Sequence, residues 1–237
     1  MEIIYSLIAA SSAMLGSLIL IMFHKWSEKN SLLIINFAAG VMLTLAFCHL
    51  IPEGIELNSK TMIYTLIGFS IMFFLQFVVL FHPCHDHECL NTKHTHIASI
   101  TGLSLHSMLD GLMIAVGFEA SSSLGILTTL AILLHKVPDG ITISGILLHG
   151  GASKKKVFNI SLVNACFTPI GTILGMFLLK NISTSALGAL LGITAGSFIF
   201  LSASDLIPET HKCKNRITAL MLFAGIIFIL AVEHFMH

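Results

Sequence analysis

An all-α bundle of eight membrane-spanning helices is the fold class this sequence predicts, on three grounds. Hydrophobic residues fill 55% of the 237 positions and charged residues only 10%, with a mean hydropathy of +0.93. Ordinary soluble domains carry about 25% charge. The apolar residues also fall into continuous runs of about 20, enough to cross a hydrocarbon core as helix. Strands of a membrane barrel would be shorter and would alternate polar with apolar, so helix is the spanning element.

Taken in chain order, span one covers roughly 3–23. Met1–Ser12 lacks the basic flank of a secretory leader, so no cleaved leader is expected. Span two, 32–52, ends in FAAGVMLTLAFCHLIPE, and span three is the uninterrupted apolar run 61–82. Spans four (97–118) and five (124–148) each carry ionisable residues near their middles. Span six is 157–179, span seven (186–207) ends in ITAGSFIFLSASDLIPE, and span eight is 217–235.

Lys and Arg orient these spans. Nine of the twelve (Lys25, Lys29, Lys93, Lys154, Lys155, Lys156, Lys212, Lys214 and Arg216) follow spans one, three, five and seven. Only Lys60 and Lys180 follow spans two, four or six, and Lys136 lies inside span five. The bias predicts that the nine-residue side is cytoplasmic and that both termini are extracytoplasmic. A formal charge of zero implies no nucleic-acid partner and no strongly anionic substrate; the lipid bilayer is the expected surrounding. Of the five cysteines, Cys48 and Cys166 fall in spans, and Cys84, Cys89 and Cys213 in loops assigned to the cytoplasm. No structural disulfide is therefore expected.

The endings of spans two and seven repeat at a constant offset of 156: Ala39 with Ala195, Gly40 with Gly196, and Leu50-Ile51-Pro52-Glu53 with Leu206-Ile207-Pro208-Glu209. His49 is replaced by Asp205. Spans two and seven are five apart, an odd number, so the copies run in opposite directions, as inverted repeats of secondary transporters do. The chain thus parses as one integral membrane domain, 1–237, arranged 3+2+3. Repeat one covers about 1–82, a loop 82–96, a central pair 97–148, and repeat two about 157–237.

The central pair carries a doubled signature, HSMLDG at His106–Gly111 and HKVPDG at His135–Gly140. Positions i and i+4 share a helix face, so His106 with Asp110, and His135 with Asp139, point together. Two such helices supply two imidazoles and two carboxylates, the ligand number Zn²⁺ favours. Ionisable groups deep in a membrane cost roughly 2.5–3.5 kcal/mol each on insertion scales and mark ion pathways. Pro138 removes a helix bond between the second pair and frees the carbonyl near Leu134 for a new partner, a role a bound ion can fill. Lys136 cannot snorkel from mid-span. Its expected partner is Asp110 or Asp139, with its ammonium standing where a second ion would otherwise sit. Two carboxylates and one ammonium give a local charge of −1, and one divalent cation brings it to +1. The cytoplasmic loop HPCHDHECLNTKHTH adds His82, Cys84, His85, His87, Cys89, His94 and His96. Such a tract reads as a flexible acceptor for metal leaving the pore.

These motifs, the repeated span endings, the eight spans and the His-rich third loop resemble the ZIP (Zrt/Irt-like protein) family of metal transporters over essentially the whole chain. The resemblance implies Zn²⁺ import toward the cytoplasm with His106, Asp110, His135 and Asp139 at the transport site, and it adds Met42 and Ser107 to the set. Two positions depart from binuclear members. Lys136 stands where those carry a carboxylate, and Thr168 precedes Pro169 where some bacterial members have Glu. One ion is the resulting expectation. Zinc leads, with Fe²⁺, Mn²⁺, Co²⁺ and Cd²⁺ as alternatives of the same donor chemistry. No cofactor is expected beyond the transported ion, the plasma membrane is the expected location, and a homodimer stays open. An intramembrane metallohydrolase is disfavoured, because a zincin needs Glu directly after its first His and Ser107 and Lys136 stand there. A metal sensor without transport is less favoured still, for want of a soluble signalling domain.

Overall fold

A computed structural model of the chain describes residues 1–80, 93–149, 151–208 and 216–236, and all the regular structure among them is helical. In order these are α1 (Glu2–Met22), α2 (His24–Leu45), a π-helical turn (Ala46–Leu50), α3 (Ile51–Leu57), α4 (Thr61–Leu80), α5 (Lys93–Ala120), α6 (Ser122–His149), α7 (Lys154–Leu179), α8 (Thr184–Phe200), a second π-helical turn (Leu201–Leu206) and α9 (Arg216–Met236). Because α2 continues through its π turn into α3, the described residues form eight helical rods, one on each predicted span. Five rods contain stretches long and apolar enough to cross a membrane: Glu2–Met22, Leu32–Leu57, Ser122–Leu148, Lys154–Leu179 and Thr184–Ser204. Thr61–Leu75 and Ala219–Val232 are shorter apolar helices. Outward faces carry bare hydrocarbon, with Phe177 76% and Leu66 65% exposed, as lipid-facing helices do.

Two boundaries differ from the sequence expectation. The segment 24–31, expected as a loop, is the start of α2, since its Lys, Glu and Asn residues contain no Gly or Pro to stop a helix. The expected loop 82–96 ends early, because α5 already begins at Lys93. Local chemistry fixes other ends. Ser121 alone separates α5 from α6, and its Oγ accepts from the Leu124 N–H at 3.1 Å. Ser153 caps α7 through the Lys156 N–H and Ser183 caps α8 through the Ala186 N–H. Each π turn precedes an Ile-Pro pair. There the Ile51 N–H reaches back five residues to the Ala46 carbonyl, and Ile207 reaches Ser202 likewise. The wider turn sits where Pro52 and Pro208 lack the N–H that would continue the ladder.

The rods divide into two packed groups. In the first, α1 and α5 each lie against both α6 and α7; in the second, α4 and α3 lie on α8, and α2 on α9. The groups meet chiefly where α2 crosses α6. The main apolar core lies at this junction, with Met42 and Leu45 of α2, Ile114 of α5, Ile132 of α6, and Leu191 and Phe198 of α8.

Among the described residues, four helix pairs bring glycines hardest against a facing carbonyl, and each does so reciprocally. Gly16 of α1 meets the Val137 carbonyl while Gly140 of α6 meets that of Ala13. Gly111 of α5 meets Thr168 while Gly171 of α7 meets Met108. Gly40 and Gly225 join α2 to α9 against Leu222 and Phe37, and Gly68 and Gly196 join α4 to α8 against Ile193 and Thr65. Any Cβ at these positions would occupy the facing carbonyl's space. Such close approach replaces the hydrophobic drive that lipid cannot supply.

Candidate metal centre

α5 and α6 lie side by side, and each brings one turn of its doubled signature to the shared face. One ligand atom from each of His106, Asp110, His135 and Asp139 lies within 4.8 Å of all the others. Asp110 Oδ2 is 3.4 Å from His135 Nε2 and 3.5 Å from His106 Nε2; Asp139 Oδ2 is 3.8 Å from His106 Nε2 and 4.0 Å from His135 Nε2. A tetrahedron with Zn–ligand bonds of about 2.0–2.1 Å has edges of about 3.3–3.4 Å. The four His–Asp edges, 3.4–4.0 Å, are thus equal to or somewhat longer than those of a zinc tetrahedron, and every separation lies within 4.8 Å.

The donor chemistry fits a cation. His135 Nδ1 lies 3.1 Å from the Ala131 carbonyl, which can only accept, so Nδ1 is assigned the proton and Nε2 keeps its lone pair toward the carboxylates. His106 Nε2, Asp110 Oδ1 and Asp139 Oδ2 are buried without a hydrogen-bond partner. Unpaired polar atoms of this kind are rare in native interiors and call for a ligand. Phe198 of α8 closes one flank, its ring 6.4 Å from that of His135 and nearly perpendicular to it. Access is asymmetric: the Asp110 and His135 side chains are 1% and 0% exposed, against 16% and 14% for Asp139 and His106.

Lys136 enters the same cage. Its fully buried ammonium lies 2.8 Å from Asp110 Oδ2 and 3.8 Å from Asp139 Oδ2, so it serves both carboxylates, with Asp110 nearer. It also donates to Ser107 Oγ at 2.8 Å. Ser107 stands outside the four-atom group and takes a second bond from Asn164 Nδ2 at 3.3 Å, while Asn164 Oδ1 accepts from Ser104 at 3.0 Å. Met42 is fully buried on α2 in the main core. Thr168 is fully buried with no partner for its Oγ1. The hydroxyl of Ser12 on α1 reaches the Leu133 carbonyl at 2.9 Å, within the turn that Pro138 loosens and one residue before the carbonyl expected to be freed. Of the loop residues, His82, Cys84, His85, His87 and Cys89 lie outside the described residues. His94 and His96 fall in the first turns of α5, where only the backbone is described.

Sequence reasoning passed over Asn164, Ser104, Ser17 and Thr172. An amide at mid-span between Val163 and Ala165 was the available signal for Asn164; small hydroxyl residues carry none.

Residues 81–233 match the family model described as ZIP zinc transporter. The chain is 30% identical over 139 residues to the human protein named zinc transporter SLC39A7, covering 54% of this chain and 30% of that one. It is 38% identical over 108 residues to zinc transporter zipt-7.1 of Caenorhabditis briggsae, covering 44% of this chain and 27% of that one. It is 28% identical over 200 residues to the uncharacterized protein MJ1036 of Methanocaldococcus jannaschii, covering 80% and 79%. The chain therefore spans under a third of the animal relatives' length.

Proposed function

This chain belongs to the ZIP zinc transporter family, and from that premise we propose that it carries divalent transition-metal ions, zinc foremost, across a membrane toward the cytoplasm. The observation that carries this reading is the cage of His106, Asp110, His135 and Asp139, with all four ligand atoms within 4.8 Å. An arriving ion first meets the partly exposed His106 and Asp139, then contracts the cage onto Asp110 and His135. Lys136 halves the negative charge of the two carboxylates, leaving −1, and substitutes for a second ion, so one divalent cation binds at a time. Ser107 holds that ammonium, and Met42 lines the α2 side. Fe²⁺, Mn²⁺, Co²⁺ and Cd²⁺ share the donor preferences closely enough to be secondary cargo.

The same proposal takes eight spans in a 3+2+3 order, with both termini extracytoplasmic and the His-rich tract at 82–96 receiving the ion inside. An inverted repeat is supported by the two π turns ahead of matching Ile-Pro pairs. The glycine contacts support it too: α1 on α6 has its counterpart in α7 on α5, and α2 on α9 in α8 on α4. The proposed location is the plasma membrane, and because all four ligands of the cage come from one chain, a second copy in a homodimer adds none of them. Hydrolysis is disfavoured, since Lys136 and Ser107, the residues after the two histidines, bond to each other instead of activating water.

The test is uptake of radiolabelled zinc by vesicles holding the purified chain. His106→Ala, Asp110→Ala, His135→Ala and Asp139→Ala should each abolish saturable uptake while eluting as folded protein. Wild-type uptake by any two of them overturns the ligand assignment.

A further inference from the structure

Each aspartate of the cage is followed by a glycine, and each glycine is gripped twice by a helix behind it. Gly140 packs its α-carbon against the Ala13 carbonyl, and its own carbonyl accepts from Ser17 Oγ at 3.0 Å. Gly111 packs against the Thr168 carbonyl, and its own carbonyl accepts from Thr172 Oγ1 at 2.9 Å. Ser17 directly follows Gly16, and Thr172 directly follows Gly171, the reciprocal glycines of the same two contacts. Both hydroxyl residues are fully buried. The same device therefore occurs twice, on α1 and on α7, which also pack on each other and give both grips a common frame.

Packing alone does not require these hydroxyls. Glycine already permits the close approach, and an interior helical carbonyl already has its own ladder N–H. What the O–H adds is direction along the helix axis, where one residue step is about 1.5 Å. Metal sites tolerate ligand errors of only about 0.2 Å, and side chains hold that precision only when their supports are locked. From this geometry we infer that Ser17 and Thr172 are positioning residues, fixing the depth of Asp139 and Asp110 in the cage and so its preference for a small ion. The inference rests on the ligand set proposed above.

The experiment compares the full chain with Ser17→Ala, Thr172→Val and Thr172→Ser, measuring kcat/KM for Zn²⁺ and for Cd²⁺ in vesicles, and melting temperature in detergent. One interhelical hydroxyl bond contributes little to membrane-protein stability, so all three variants should fold. Ser17→Ala and Thr172→Val should each lower the zinc-to-cadmium ratio about threefold or more, because the larger ion tolerates a looser cage, while Thr172→Ser keeps the wild-type ratio. An unchanged ratio in either hydroxyl-less variant overturns the inference, as does a parallel loss of both metals with a falling melting temperature. If wild-type vesicles take up neither metal, the transport reading fails by itself. The inference is then decided by zinc- and cadmium-induced shifts in melting temperature across the same four proteins, with the same ratios expected and the same ones refuting.

Discussion

Replacing Lys136 with Met keeps the length of the side chain and removes its charge, so it isolates what the ammonium does to metal binding. The ammonium lies 2.8 Å from Asp110 Oδ2 and 3.8 Å from Asp139 Oδ2. At an effective dielectric of about 20 these separations correspond to gross attractions of about 6 and 4 kcal/mol. Desolvation offsets most of that, and breaking one partner out of a buried pair typically costs about 3–5 kcal/mol. In the metal-free variant Asp110 bears that cost, whereas a bound divalent ion relieves it. If only half returns on binding, at about 1.4 kcal/mol per decade, the metal affinity rises roughly tenfold or more. Release slows by the same token, so KM and kcat for zinc uptake should fall together. The metal-free variant should also melt lower than wild type and gain more on adding zinc, since a ligand stabilises by mass action. Vesicle uptake kinetics and zinc-dependent melting curves read both effects. A Lys136→Met protein with wild-type KM, kcat and zinc-induced stabilisation would refute the idea that Lys136 competes with the ion for Asp110.

Two further outcomes follow from the same geometry. Replacing the five histidines and two cysteines of 82–96 with Ser should leave vesicle uptake largely intact while reducing metal retained by the purified protein, if the barrier lies in the cage as proposed. Gly111→Ala and Gly140→Ala should each destabilise by about 1–3 kcal/mol or prevent folding, since the new Cβ meets a facing carbonyl. Gly145→Ala, whose nearest neighbour is Leu20 Cδ2 at 3.7 Å, should be tolerated; detergent melting temperatures compare the three.

The clustering of the two histidines and two aspartates was legible because its information is local. A spacing of four on a helix forces His106 beside Asp110 and His135 beside Asp139, and the repetition of the signature pointed to two helices sharing one face. Lys136 was legible through its cost, since an ammonium at mid-span must find carboxylates. The supports were not legible. Which hydroxyl of α1 faces Gly140 depends on the interhelical register, and nothing in the local pattern around Ser17 distinguishes it from Ser11, which merely bonds back to Leu7 in its own helix. The extension of α2 over 24–31 was missed for a different reason. Hydropathy marks where a helix leaves the apolar zone, not where its backbone ladder stops.

The four glycine contacts also bear on how the chain is made. None joins helices adjacent in sequence: α1 waits for α6, α5 for α7, α4 for α8, and α2 for α9. A ribosome releases the chain from α1 onward, so α1, α2 and α4 enter the membrane with their small-residue faces unmatched. Among the described residues, these glycine contacts of the first half form only when the second half arrives. Assembly of this kind is late and long-range, and contacts between distant segments are the slow ones to form. The ion cage inherits that schedule. Its two walls, α5 and α6, are synthesised one after the other, but α6 gains its grip from a helix already waiting, and α5 only from one still to come.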